Sequence, residues 1–186
     1  HDGLVRSYLL EGEMRQQAEG AAAALAVFEA GLRMLPDDGE LMYARALMYA
    51  EAGRDADMER ELRRMIELDP NDADALNALG YTLVDQARDL DEAAALLARA
   101  EKLSPDSAAL LDSLGWLAYR RGDLDAALVK LRAAHAKLDD AEVAAHLGEV
   151  LWQKGERNEA QRIWSDALKR EPGHRVLVET MRRLQP

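Results

Sequence analysis

The sequence predicts an all-α chain built as a linear array of helical hairpins. Three observations predict it: a ladder of prolines, a second set of residues climbing the same step, and a core supplied by Ala and Leu. Pro36, Pro70, Pro105 and Pro172 are separated by 34, 35 and 67 residues, the last gap being two steps with its missing rung at Asp139. Ala93, Ala127 and Ala160 repeat at 34 and 33, and Ala100, Ala134 and Ala167 match them, as do Leu97, Leu131 and Trp164. Gly80, Gly115 and Gly148 follow at 35 and 33. Regular self-similarity at such a period marks a repeat architecture. The composition agrees, being 48% hydrophobic but only 5% aromatic with a single Phe, which favours helix over sheet.

Each period reads as two amphipathic helices. Leu76, Leu79, Gly80 and Leu83 fall at i, i+3, i+4 and i+7, as do Leu111, Leu114, Gly115 and Ala118, and then Ala144, Leu147, Gly148 and Leu151; that spacing is one face of a helix. The small residue in each set lets the paired helix approach closely. Gly53, Gly122 and Gly155 mark the turn, where a helix ending in a left-handed residue takes glycine. The second helix presents Ala93, Leu97 and Ala100 inward and stops before the proline, because a residue preceding Pro is pushed out of helical geometry. The next helix starts at a cap: Asp38, Asn71 or Asp72, Asp106 or Ser107, Asp140.

This places repeats at about 5–38, 39–72, 73–107, 108–140 and 141–173. A last helix at 174–184 would cover the open end with Val176, Leu177, Met181 and Leu184, while Arg175, Arg182 and Arg183 face water. The whole, 1–186, is expected to be one domain of eleven helices. The first repeat is the weakest: Gly12, Ala24, Phe28 and Pro36 fit the pattern, but Glu11 and Arg15 do not. In the second, Arg45 and Met58 occupy steps that elsewhere take an apolar and a small residue.

Lys and Arg number 24 against 35 Asp and Glu, a formal net charge of −11. That argues against nucleic acid, which needs a basic surface to release counterions, and against an anionic membrane surface. The acid excess lies in residues 1–140, with 28 acidic and 16 basic side chains; residues 141–186 carry 7 and 8. The C-terminal end is therefore the better contact for an acidic partner. Zero cysteines exclude disulfides, thiolate metal sites and cysteine nucleophiles. No apolar run approaches the ~18 residues of a membrane span. An opening of His1-Asp2-Gly3, with neither Met nor signal peptide, reads as a mature or truncated piece of something longer.

Catalytic constellations are not expected. His135 and His146 lack a second ligand at i+4 and, with His1 and His174, read as ordinary surface histidines. Asp37-Asp38 and Asp139-Asp140 sit at helix starts, where carboxylates cap and offset the helix dipole. The expectation is a non-enzyme with no metal and no cofactor.

A two-helix unit of this length and signature resembles the tetratricopeptide repeat (TPR) family. Leu76, Leu79, Gly80, Leu83, Ala93, Leu97, Ala100 and Pro105 fill all eight signature steps, with one residue inserted near Gln86–Asp89. The resemblance implies a right-handed superhelix, an α-solenoid, whose first helices line an inner groove. The groove stripe then holds Tyr43 and Leu47; Asn77, Tyr81 and Val84; Asp112, Trp116 and Tyr119; and Glu149 and Trp152. Exposed aromatics there would mark a protein-binding surface, with Trp116 and Tyr119 the best pair and Asn77, Asp112, Arg120, His146 and Glu149 orienting a bound chain. The competing reading is that Trp116 and Trp152 pack against a neighbouring helix. The family's carboxylate-clamp steps hold Asn77, Tyr81, Asp112 and Trp116 instead of the clamp's lysine and asparagine, so chaperone termini are not the expected partner.

The runs Asn77–Leu83, Leu111–Trp116 and Ala144–Trp152 are similar to the C-terminal part of large Gram-negative repeat lipoproteins anchored in the outer membrane. That resemblance implies a periplasmic adaptor that binds a carboxyl-terminal processing protease and presents clients such as peptidoglycan hydrolases. The lipid anchor would lie outside this chain. A cytoplasmic assembly scaffold, the regulatory or docking arm of a larger enzyme, and self-association through the N-terminal repeats stay open.

Overall fold

Residues 1–184 of the computed structural model form eleven helices and no strand; residues 185 and 186 of the expected domain lie outside the described residues. In chain order these are α1 (Asp2–Glu19), α2 (Ala21–Met34), α3 (Gly39–Glu51), α4 (Asp55–Leu68), α5 (Ala73–Asp85), α6 (Leu90–Leu103), α7 (Ala108–Arg120), α8 (Leu124–Lys137), α9 (Ala141–Gln153), α10 (Arg157–Arg170) and α11 (Arg175–Leu184). The expected class, all-α helix–turn–helix repeats with a final half-repeat, is the one observed.

Local chemistry explains the boundaries. The carboxylate of Asp38 accepts from the Leu41 amide at 3.0 Å, Asp72 from Ala75 at 2.9 Å and Asp140 from Glu142 and Val143 at 2.8 and 3.1 Å. Ser107 caps α7 through the Leu110 amide. The caps left open between neighbours thus resolve to Asp72 and Ser107. Gly53, Gly122 and Gly155 turn with φ of 68°, 84° and 85°. The third repeat has its extra residue here, and Ala87 and Asp89 adopt φ of 50° and 49° without a glycine, a conformation that costs an L-residue about 1–2 kcal/mol.

The chain divides into two compact units, His1–Leu79 and Gly80 onward, the division falling within α5. In the first unit Val5, Ala24, Leu25, Phe28, Leu32, Leu41 and Leu62 are buried. Gly12 sits against the Phe28 ring so closely that a Cβ would meet Cζ at 2.2 Å, which supports the weak first repeat. Arg45 fits its apolar step because its guanidinium pairs with Glu61 at 2.6 Å. The second unit repeats one packing device. Gly80, Gly115 and Gly148 face Leu97, Leu131 and Trp164, with 2.8, 2.6 and 2.0 Å from a hypothetical Cβ to the nearest side-chain atom. α11 covers the end of α9 and α10 as expected, burying Leu177 and packing Val176, Met181 and Leu184 on their core. Arg183 departs from the expectation: it reaches back to Glu149 instead of only facing water.

Candidate functional site

The residues expected to line the groove all stand on first helices: Tyr43 and Leu47 on α3, Asn77 and Tyr81 on α5, Asp112, Trp116, Tyr119 and Arg120 on α7, and His146, Glu149 and Trp152 on α9. Tyr43, Leu47 and Asn77 belong to the first unit and the others to the second. In the first unit Leu47 is 48% exposed. Tyr43 is half-buried, and burial followed by the charges of Asp74 and Asp72 raises its phenol above the ordinary value. Asn77 keeps its Oδ1 buried without a hydrogen-bond partner.

In the second unit the structure brings the named residues together, but inward. Trp116 is only 4% exposed, so the expectation of an open aromatic gives way there to the packing alternative. Its indole stacks on the His146 ring at 4.1 Å and on the Tyr119 ring at 4.8 Å, and its Nε1–H donates to Asp85 at 3.4 Å. The cause is the repeat itself: a side chain one residue past the glycine step on α7 meets α9 of the following hairpin.

His146 is likewise no surface histidine. It is 2% exposed, and its Nδ1 lies 3.0 and 3.1 Å from the two Asp112 oxygens. Burial opposes its charge, but Asp112, by charge and hydrogen bond, together with Glu142 and Asp85, outweighs burial and raises its pKa above 6.5. Asp112 and Glu149 are also buried, so neither stands free to orient a bound chain. Glu149 accepts from the Tyr119 hydroxyl at 2.8 Å and from Arg183 at 2.5 Å. The Tyr81 hydroxyl donates to Glu142 two repeats along. Burial, then Glu149, pushes the Tyr119 phenol up to about 12, and the same two kinds of cause push Tyr81 further.

What stays outward is the half-exposed rim of this network. The Arg120 guanidinium lies 5.1 Å over the Trp116 ring and donates to the Asp85 carbonyl at 2.6 Å. Trp152 tilts on Trp164 at 5.7 Å, and the Arg157 guanidinium lies 5.0 Å over its ring. Among the described residues no group of three or more His, Asp or Glu is placed to hold a metal. The network's carboxylates are engaged by donors, an arrangement that fixes helices to one another. Sequence reasoning missed Asp85, Glu142, Arg157 and Arg183. For Arg183 the available signal was register, since it follows Glu149 by 34 residues, as His146 follows Asp112.

The tetratricopeptide repeat family matches this chain over residues 9–73 and over residues 61–95. The chain is 42% identical over 148 residues to the TPR repeat-containing protein PA4667 of Pseudomonas aeruginosa, covering 80% of this chain and 25% of that protein. It is 36% identical over 127 residues to the cellulose synthase 2 operon protein C of Komagataeibacter xylinus, covering 67% of this chain and 10% of that one. It thus spans a quarter and a tenth of the length of these relatives. Among solved structures, TTC0263, a thermophilic TPR protein of Thermus thermophilus, superposes with a TM-score of 0.78 at 25% identity, covering 97% of this chain and 96% of that one.

Proposed function

From the tetratricopeptide repeats that this chain carries, we propose a non-catalytic scaffold that binds protein partners along the outward edges of its first helices. The observation that carries this reading is the rim of the second unit, where half-buried Tyr119 and Trp152 lie beside Arg120, Arg157 and Arg183 on a base held by the buried His146–Asp112 pair and the buried Glu149 carboxylate. Aromatic and arginine side chains on a preorganised support are the usual anchors of a protein interface. Leu47 and Tyr43 offer a separate apolar contact in the first unit.

The specific role is a periplasmic adaptor, held at the outer membrane by a lipid anchor outside this chain. It binds a carboxyl-terminal processing protease and presents peptidoglycan hydrolases to it. The runs Asn77–Leu83, Leu111–Trp116 and Ala144–Trp152 support this through their similarity to the C-terminal part of Gram-negative repeat lipoproteins. Tethering alone supplies the rate gain, because it raises local client concentration to about the millimolar range. Similarity to a cellulose synthase operon protein favours a second reading, an assembly scaffold.

The test mixes the purified chain with a purified processing protease and a cell-wall hydrolase, reading complex formation by sedimentation and hydrolase loss over time. The adaptor role requires faster hydrolase loss with the chain present, and less of it with Arg120→Glu/Arg157→Glu. A chain that binds neither protein sinks the adaptor role and leaves the scaffold.

A further inference from the structure

α1 carries apolar residues on two opposite faces. Val5 and Gly12 are buried on one. On the other, Gly3, Ser7, Leu10 and Met14 follow at steps of four, three and four, an uncharged stripe in which every residue is exposed. A helix apolar on both sides is built to be buried on both.

The later repeats state what covers such a stripe. Met14 stands two residues past the glycine step at Gly12, and the same position is Met48 past Ala46, Leu117 past Gly115 and Val150 past Gly148. Met14 is 62% exposed, whereas Met48, Leu117 and Val150 are 8%, 7% and 0% exposed. Leu10, 60% exposed, corresponds to Ser113 and His146, each 2% exposed. Ser7 corresponds to the buried Leu41, Leu110 and Val143. Val143 packs on Ala133 and Ala134 of α8. Leu41 lies against α2, its Cδ1 3.0 Å from where a Gly31 Cβ would be. For Leu41 and Val143 the cover is the second helix of the hairpin before; His146 is covered by Asp112 and Trp116 of that hairpin's first helix.

We propose that the outer face of α1 is the docking face for one further helical hairpin of the same kind, supplied by the same polypeptide. The occupant is the second helix of that hairpin, with small side chains where α8 has Ala133 and Ala134. A second copy offers no equivalent helix among α2, α6, α8 and α10, because α3, α7, α9 and α11 already pack on them. The Pseudomonas relative, of which this chain spans a quarter, has the length to supply one. The binding face of the proposed scaffold would then continue past α1 onto the added hairpin, while the docking itself stands whether or not the partner assignment does.

The chain can test this with its own parts. Residues 107–140 are placed directly ahead of Val5, so that Asp140 becomes the cap in place of Leu4 and the 33-residue step from Gly115 to Gly148 is kept. A second extension uses residues 5–38 ahead of Val5, with Met14→Leu in the added copy so that its peptides are distinct, keeping the 34-residue step from Gly12 to Ala46. Peroxide oxidation of Met14 is followed by peptide mass spectrometry, with the exposed Met34 as internal reference. Amide exchange in α1 and sedimentation are measured in parallel. In either extension Met14 oxidation and α1 exchange should slow by about tenfold or more, and Leu10→Lys should reverse both. An added hairpin that stays protease-sensitive in both extensions overturns the proposal. So does one that folds without slowing Met14 oxidation, or a parent chain that is already a dimer and falls to monomer with Leu10→Lys.

Discussion

Asp112→Ala separates a buried ion pair from a surface one. His146 and Asp112 are 2% and 6% exposed, so removing the acid leaves an imidazole whose Nδ1 has lost its partner. Truncating one member of a buried pair costs about 3–5 kcal/mol, against about 0–1 kcal/mol for an exposed pair. The pH dependence carries a sign as well. His146 has its folded pKa raised above 6.5, so its contribution is complete below about 6.5 and is lost as pH rises through the folded value. In the variant, burial opposes the charge with only Glu142 and Asp85 left to favour it, so the folded pKa falls and acid destabilises. The stability gap between parent and variant should therefore be widest at the acid end of the range, near pH 5.5, at about 3–5 kcal/mol. It should narrow at alkaline pH to about 1–3 kcal/mol, the cost of a neutral buried group left unsatisfied. Urea denaturation followed by circular dichroism from pH 5.5 to 9 reads both. The double variant His146→Phe/Asp112→Leu should recover most of the loss. A gap under about 1 kcal/mol, or one that widens with pH, would refute the buried charged pair.

Further substitutions test other joints of the fold. Gly148→Ala drives a Cβ to within 2.0 Å of the Trp164 Nε1 and should cost about 1–3 kcal/mol by overpacking; adding Trp164→Leu, the residue type of Leu97 and Leu131, should recover part of it in thermal melts. Ala87→Gly should stabilise by about 1 kcal/mol, because φ at this position is 50° and glycine bears no left-handed penalty. The Tyr119 phenol, raised to about 12, should titrate earlier in Glu149→Gln by ultraviolet difference spectroscopy, yet stay above 10 because burial remains the larger cause. Its contribution to stability is present below pH 10 and is lost as pH rises towards 12.

The repeat was legible because its causes are local. Caps such as Asp38 and Asp140, the turn glycines and the prolines act within four or five residues of themselves, and the inner faces follow from helical spacing. That Gly80, Gly115 and Gly148 share one period with Leu97, Leu131 and Trp164 could be read directly, while their contact came from the structure. Even the irregular turn at Gln86–Asp89 announced itself as an insertion.

The fate of the stripe one residue off the core could not be read the same way. Whether Trp116 is an open anchor or a packed one depends on His146, thirty residues later, lying across it. The ionic partners of Asp112 and Glu149 arrive 34 residues downstream. The amino-acid sequence alone determines the hairpin, its period and its inner faces, because those follow from backbone propensity and helical spacing. Only tertiary structure decides which of the remaining side chains meet the neighbouring hairpin and which meet water. A residue on a helix edge has no local preference between the two, and the docking of the next helix removes one of them.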